Sequence, residues 1–100
     1  MSNIIRRIRW IPYRIHHGVW PDEIWALDYT IVRFTLPRLK LFKNASSSYP
    51  DGITRDEWIH ILDEIIWAFE NYRTTHSKEE LKRMEEGVGL FGEYFFQLWY

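Results

Sequence analysis

A chain of 100 residues has the length of one domain, and its 46% content of hydrophobic residues lies outside the range in which chains remain disordered. It contains no cysteine, which excludes disulfides, thiol nucleophiles and thiolate metal sites, and we expect neither a metal nor a cofactor. Its formal net charge of −1 divides into +5 over residues 1–43 and −6 over residues 44–100. Because duplex nucleic acid requires a basic excess over a whole domain, we do not expect it as a partner.

The beginning of the chain carries Arg6, Arg7 and Arg9 among isoleucines, without an uninterrupted apolar stretch. That pattern fits neither a signal peptide nor a membrane span. We therefore expect a cytoplasmic protein that has no membrane partner.

Residues 1–20 are interpreted as a strand segment that forms a short β-strand or hairpin. Residues 4–17 are rich in β-branched and aromatic side chains that partly alternate, and Pro12 is typical of an edge strand. Two strands alone are marginally stable in water and must pack on helices or pair with a second copy of the chain. The predicted fold class is therefore mainly α with a small β component (α+β), assembled as a homo-oligomer.

A first helix is predicted over residues 22–43. Pro21 and the two acids that follow it favour a helix start, because proline and negative charge suit the first turn. Apolar residues cover most of the circumference of this helix, which predicts a central position. Pro37 removes one backbone hydrogen bond, and we expect a kink there rather than a separate turn.

Two further helices are predicted over residues 55–72 and 78–99. The polar segment 44–52 ends in Pro-Asp-Gly and indicates a linker. Thr54 with Glu57, and Ser77 with Glu80, have the spacing of capping boxes, in which each side chain accepts a hydrogen bond from the other residue's backbone. These three helices and the strand segment make up one predicted domain, 1–100.

Three patterns with catalytic associations have simpler explanations. Residues 87–92 match G-x-G-x-x-G, but they lie inside a helical repeat and follow no strand, so these glycines are better explained by the close approach of another helix or a ring. Glu57 and His60 form one Glu-x-x-His pair, whereas carboxylate di-iron sites need two. Ser46–Ser48 lie in the linker without an evident base. We therefore expect a binding protein rather than an enzyme.

Acidic and aromatic residues of the helices allow two interpretations. Asp28 lies on a largely apolar helix face, where a buried carboxylate must be paired, and a structural ion pair is the simpler explanation. It is equally able to bind the hydrogen-bonding edge of a purine. The six tryptophans exceed what a small core needs, and rings that stack on bases beside arginines that hold phosphates would form a sensible ligand site.

Over most of residues 13–100 the chain resembles a widespread family of short accessory proteins of tailed bacteriophages. The resemblance lies in the order of its Trp, Asp and Phe positions and involves Arg14-Ile15-His16, Trp25-Ala26-Leu27-Asp28, Leu36-Pro37-Arg38-Leu39, Trp58, residues 62–70, residues 89–95 and Leu98-Trp99. It is also similar to phage sponge proteins, small oligomers that sequester cyclic oligonucleotide signals of bacterial antiviral defence such as CBASS. The resemblance implies a non-catalytic protein in the infected host cell.

A ligand site for such a nucleotide is predicted from the chemistry of the side chains. Arginines are assigned to phosphate, tryptophans to stacking and carboxylates to base edges. The predicted site residues are Arg14, Trp20, Trp25, Asp28, Arg38, Glu64 and Trp67. The alternative is a phage protein that inhibits a host protein, or a small structural component, through an exposed aromatic and acidic surface on the last helix.

Overall fold

A computed structural model of the chain describes residues 3–74 and 77–99. Five α-helices and one 3₁₀ helix make up this part of the chain, and no strand occurs in it. The helices are α1 (Asn3–His17), α2 (Asp22–Trp25), α3 (Leu27–Ala45), α4 (Arg55–Glu70), α5 (Lys78–Glu93) and the 3₁₀ helix Phe95–Gln97. The prediction of a mainly helical protein is confirmed.

The predicted strand segment over residues 1–20 is wrong where the structure describes it, because α1 occupies Asn3–His17. Isoleucines at 8, 11 and 15 recur at steps of three and four residues, which is the period of a helix. The helical period outweighs the β-branched composition, because β-branched residues favour a strand only weakly. Pro12 lies inside α1, where a missing N–H costs one hydrogen bond without ending the helix.

The predicted helix over residues 22–43 consists of α2 and α3, separated at Ala26. The backbone of Ala26 has φ −131° and ψ 68°, which is not helical. Beyond it, α3 passes through Pro37 and ends at Ala45. The predicted continuation of the helix past Pro37 is therefore confirmed, and a separate turn there is excluded.

Both predicted capping boxes are present. The Thr54 hydroxyl accepts a hydrogen bond from the Glu57 backbone at 3.1 Å, and the Glu57 carboxylate accepts one from the Thr54 backbone at 2.9 Å. Ser77 and Glu80 make the same exchange at 3.2 and 3.3 Å. Each exchange satisfies backbone N–H groups that have no partner within the helix, which fixes the starts of α4 and α5.

The last predicted helix, 78–99, ends earlier than expected. Helix α5 stops at Glu93, and a 3₁₀ turn follows at Phe95–Gln97. The ring of Tyr94, the first residue after α5, meets Trp58 edge to face with centroids 5.6 Å apart. The helix ends at the residue before this ring, which packs on Trp58. The spacing of apolar residues, from which the longer helix was predicted, gives no information about such a contact. Tyr100 lies outside the described residues.

The chain divides into two compact units, an N-terminal unit Met1–Ile31 and a C-terminal unit Val32–Tyr100. All described hydrophobic side chains that are fully buried belong to the C-terminal unit. They come from α3, α4 and α5 and include Val32, Leu39, Leu62, Ile65, Ile66, Ala68, Phe69 and Met84. This core fixes the helix faces on which the site residues of the C-terminal unit lie.

Close packing of α4 on α5 depends on Gly87. A Cβ atom at this position would lie 2.5 Å from the Cβ of Ala68 and 2.7 Å from the carbonyl oxygen of Glu64. The sequence-based explanation of the glycine motif as a close helix approach is confirmed at Gly87. A Cβ at Gly89 or Gly92 would meet nothing within 4 Å.

Across residues 3–74 and 77–99, no helix has both the length and the apolar character that a bilayer span requires.

Candidate functional site

An open groove of about 510 Å³ in the C-terminal unit combines cations, carboxylates and an indole ring. We call it the Trp67 groove. It is lined by Lys40, Lys43 and Asn44 of α3, Asp63, Ile66, Trp67 and Glu70 of α4, and Arg83 of α5. Its volume lies within the roughly 300–1,000 Å³ typical of small-molecule sites.

The central feature of the Trp67 groove is the guanidinium of Arg83. Its central carbon lies 4.0 Å from the centroid of the Trp67 ring. The same group donates two hydrogen bonds to the Glu64 carboxylate, at 2.9 and 3.1 Å. A planar guanidinium held at one edge by a carboxylate and on one face by an indole has little freedom to rotate. Arg83 therefore offers a preorganised cationic plane.

The hydrogen bonds between Arg83 and Glu64 affect the protonation of both groups. They hold the pKa of Glu64 below its ordinary value of 4.5, against the smaller opposing effect of partial burial. The same contact raises the pKa of Arg83 above its ordinary value. Both groups are charged at neutral pH even at their ordinary pKa values, and these shifts stabilise the charged forms further, so the pair presents opposite charges side by side.

Two lysines of α3 supply further positive charge to the Trp67 groove. Lys40 pairs with Glu70 at 3.1 Å, and Lys43 pairs with Asp63. The side chains of the Lys40 and Glu70 pair keep nearly half of their surface in solvent. Exposed ion pairs of this kind contribute only about 0–1 kcal/mol each, so an anionic ligand can replace a carboxylate at small cost.

Helix α4 presents the groove residues because apolar residues on another part of its circumference are buried. Leu62, Ile65 and Phe69 are in the core with at most 4% of their surface exposed. Glu64 and Trp67 follow one another at a spacing of three residues, which places them on neighbouring turns of one face. The burial of one side of α4 thus directs the functional side chains to the other.

Two predicted site residues of the C-terminal unit, Glu64 and Trp67, are linked by Arg83, which contacts both. Arg83 was absent from the predicted site. The two capping boxes and the short connection between α4 and α5 indicate an antiparallel helix pair, but they do not give the register that puts residue 83 beside residue 64. The close approach at Gly87 is one of the contacts that hold this register.

Arg38 of the predicted site lies on α3 beside a different groove of the C-terminal unit. Its guanidinium carbon is 3.7 Å from the Phe34 ring centroid, and it donates a hydrogen bond to the Phe34 carbonyl at 2.7 Å. This second groove, of about 310 Å³, is mostly apolar. It is lined by Thr35, Arg38, Leu39, Phe42, Phe91, Phe95 and Leu98. Arg38 is not among the residues that line the Trp67 groove.

In the N-terminal unit, Arg14 and Trp20 of the predicted site are in contact. The guanidinium carbon of Arg14 lies 5.5 Å from the centroid of the Trp20 ring, and that of Arg7 lies 4.7 Å from it. Arg7 also pairs with Asp22 at 3.3 Å, and Arg14 donates a hydrogen bond to the Gly18 carbonyl. The Trp20 ring is therefore half-buried beneath two arginines. Each of these arginines also has a second partner in the N-terminal unit, Asp22 or the Gly18 carbonyl.

Trp25 and Asp28 are the other two predicted site residues of the N-terminal unit. Trp25 meets Trp10 edge to face, with centroids 5.3 Å apart, and keeps 66% of its surface exposed. Asp28 is exposed in the first turn of α3, where a negative charge is favoured by the helix dipole. The interpretation of Asp28 as part of a buried ion pair is wrong, because the residue is not buried.

Residues 3–74 and 77–99 contain no group of three or more His, Cys, Asp or Glu side chains that could hold a metal ion. His76, which the sequence leaves without ligand spacing, lies outside these ranges. The side chains that line the Trp67 groove can form ion pairs, hydrogen bonds and stacking contacts.

Comparison of the chain with models of protein families, with curated proteins and with solved structures found no match.

Proposed function

We propose that this chain is a non-catalytic nucleotide-binding protein of a tailed bacteriophage, which sequesters a cyclic oligonucleotide second messenger of bacterial antiviral defence. The observation that carries the proposal is the stack of Arg83 on Trp67 beside Glu64, with Lys40 and Lys43 on the facing helix. Aromatic and guanidinium planes bind bases, and clustered cations bind phosphates.

Each part of a nucleotide has a counterpart in the Trp67 groove. A base stacks on the Arg83 and Trp67 planes, since stacking on an aromatic side chain contributes about 1–3 kcal/mol per base. Phosphates take the place of the carboxylates of Glu70 and Asp63 beside Lys40 and Lys43, which exchanges weak exposed ion pairs for charge-assisted hydrogen bonds. The Glu64 carboxylate accepts a hydrogen bond from the edge of the base.

Sequestration requires affinity and no chemical step, so the proposed protein is not an enzyme. A sponge lowers the free concentration of its ligand by mass action, and its effect depends on the dissociation constant and the number of sites. The proposed location is the cytoplasm of the infected bacterial cell, where such signals are made.

The proposal includes self-association into a homo-oligomer. The Trp67 groove is open on one side, and tight small-molecule sites bury most of the surface of their ligand. A second copy that closes over the groove would complete that burial. Sedimentation of the purified chain with and without a bound cyclic nucleotide measures the number of copies.

Calorimetric titration of two variants of α5 tests the site. Cyclic dinucleotides, cyclic trinucleotides and cyclic ADP-ribose variants are the ligands, with linear nucleotides as controls. Arg83→Gln removes the cationic plane, and we expect at least about tenfold weaker binding. Lys82→Gln removes the neighbouring charge, which borders a different hollow, and we expect a change within about twofold. Equal affinities of the two variants would show that the groove is not the site.

A second candidate function is favoured by the exposed aromatic residues after α5. Phe96 and Trp99 have 83% and 72% of their surface exposed, and Phe95 has 54%. Large exposed rings of this kind mark protein interaction sites. In this alternative the chain binds and inhibits a host protein, or acts as a small structural component. Pull-down from host lysate that Phe96→Ser abolishes, together with the absence of any nucleotide effect, would support it.

A further inference from the structure

Helix α1 exposes a row of isoleucines. Ile8 and Ile15 keep 59% and 79% of their surface exposed, and Ile5 and Ile11 keep 46% and 44%. At 100° per residue these four side chains fall within one arc of about 120° of the helix. We call this arc the isoleucine face.

The other side of α1 makes its contacts within the N-terminal unit. Trp10 meets Trp25 edge to face, and Arg7 pairs with Asp22 and lies over Trp20. An amphipathic helix usually buries its aliphatic face and exposes its cations. In this unit the aromatic and cationic face is the one in contact, and the isoleucine face is open.

The charges of α1 have one sign. Between Asn3 and His17 the helix has four arginines and two histidines, and it has no aspartate or glutamate. Arg9 and His16 are exposed along one edge of the isoleucine face, while Arg7 and Arg14 follow the other edge. An apolar face bordered by arginines on both edges complements a surface that is apolar inside and negatively charged outside.

We propose that α1 binds the surface of an anionic lipid bilayer, lying in the plane of the interface with its isoleucine face among the acyl chains. This inference goes beyond nucleotide binding and does not depend on it. A second copy of the chain is the less suitable occupant, because pairing two α1 helices would set arginines against arginines. A helix of 15 residues is also only about 22 Å long, too short to supply the roughly 800 Å² per partner of a standard interface.

The proposal departs from the expectation that the chain has no membrane partner. That expectation followed from the absence of an uninterrupted apolar stretch among Arg6, Arg7 and Arg9, which bears on a membrane span. As a helix, residues 3–17 have the alternation of apolar and cationic faces that is typical of helices lying on a membrane, and spanning is not required.

Flotation of the full-length chain with lipid vesicles tests the proposal. The probes are phosphatidylcholine vesicles and vesicles of phosphatidylcholine mixed equally with phosphatidylglycerol. The test variant is Ile8→Ser with Ile15→Ser, whose side chains are exposed, so we expect the fold to be retained. The matched control is Leu41→Ser, an aliphatic residue of α3 with 69% of its surface exposed. Unchanged melting temperatures confirm that all three proteins are folded.

We expect the wild-type chain and Leu41→Ser to float with the anionic vesicles and not with the neutral ones, and added salt to weaken binding. The double variant should bind the anionic vesicles at least about tenfold more weakly. Failure of the wild-type chain to bind anionic vesicles would overturn the proposal, as would equal losses in the double variant and in Leu41→Ser. Conversion of a wild-type oligomer to a monomer by the double variant, without vesicle binding, would assign the isoleucine face to a second copy instead.

Discussion

Gly87 of α5 and Ala68 of α4 approach each other so closely that a Cβ atom on Gly87 would lie 2.5 Å from the Cβ of Ala68. The carbonyl oxygen of Glu64 would lie 2.7 Å from the same atom. Real Cβ atoms do not approach backbone oxygens at such distances, so any side chain here separates the helices. The contact of Arg83 with Glu64 and Trp67 depends on this register.

We expect Gly87→Ala to lower the free energy of unfolding by about 1–3 kcal/mol, because the strain exceeds the gain of about 1 kcal/mol in helix propensity. Gly89→Ala is the matched control in the same helix, and its added methyl group meets nothing within 4 Å. This control should raise stability by up to about 1 kcal/mol. Urea unfolding measures both changes, and effects of the same sign in the two variants would contradict the packing described.

The pair of Glu64 and Arg83 predicts a dependence of stability on pH. The folded pKa of Glu64 is lowered, so the stabilisation is fully present above the ordinary value of 4.5 and is lost as the pH falls through the folded pKa. We expect Glu64→Gln to lower the free energy of unfolding by about 0.2–1 kcal/mol at neutral pH, a small figure because Arg83 is half-exposed. The difference from wild type should shrink at about pH 3.

Glu85→Gln is the control for this effect, since it removes an exposed carboxylate from α5. Its effect on stability should be within about 0.5 kcal/mol and should not follow the same pH profile. A Glu64→Gln difference that stays constant from neutral to acidic pH would rule out the ion pair as its cause.

The capping boxes predict losses at two separate helix starts. Replacing Thr54 or Ser77 by alanine removes the hydroxyl that accepts from the backbone of Glu57 or Glu80. Each substitution should lower the free energy of unfolding by about 1 kcal/mol. Thr54→Ser keeps a hydroxyl and should remain close to wild type. Thermal unfolding of the three variants is the measurement, and a Thr54→Ser loss as large as that of Thr54→Ala would contradict the capping role.

Pro37 is exposed in the interior of α3, where it lacks the N–H that a helix needs. We expect Pro37→Ala to raise the free energy of unfolding by about 1–3 kcal/mol, because alanine restores the hydrogen bond at an exposed position. Leu41→Ala, four residues further along, should change stability by less than about 0.5 kcal/mol. Chemical unfolding compares the two, and a destabilised Pro37→Ala would show that the ring is needed for packing.

Local signals in the sequence predicted the starts of α4 and α5, because a capping box involves residues only three apart. They failed for α1, where β-branched isoleucines favour a strand by composition although their spacing of three and four favours a helix. In the predicted helix 22–43, the spacing of apolar residues also did not show which face is buried. Ile24, Leu27, Ile31 and Phe34 recur at helical spacing in the sequence, yet all four are exposed.

The candidate site shows the same division between local and non-local information. Trp67 and Glu64 were predicted because their residue types suit a nucleotide and both lie on one helix. Arg83 was not predicted, because its contact with Glu64, 19 residues away in the chain, depends on the register of α4 and α5. Side-chain chemistry identifies candidate site residues, but the packing of the helices determines which of them are in contact.

Differential scanning fluorimetry of the purified full-length chain tests nucleotide binding most directly. The ligands are cyclic di- and trinucleotides and cyclic ADP-ribose variants, with linear nucleotides as controls. A ligand that binds only the native state raises the melting temperature, so we predict a rise of several degrees for one cyclic class, absent in Arg83→Gln and retained in Lys82→Gln. A folded protein whose melting temperature is unchanged by every ligand would contradict the account.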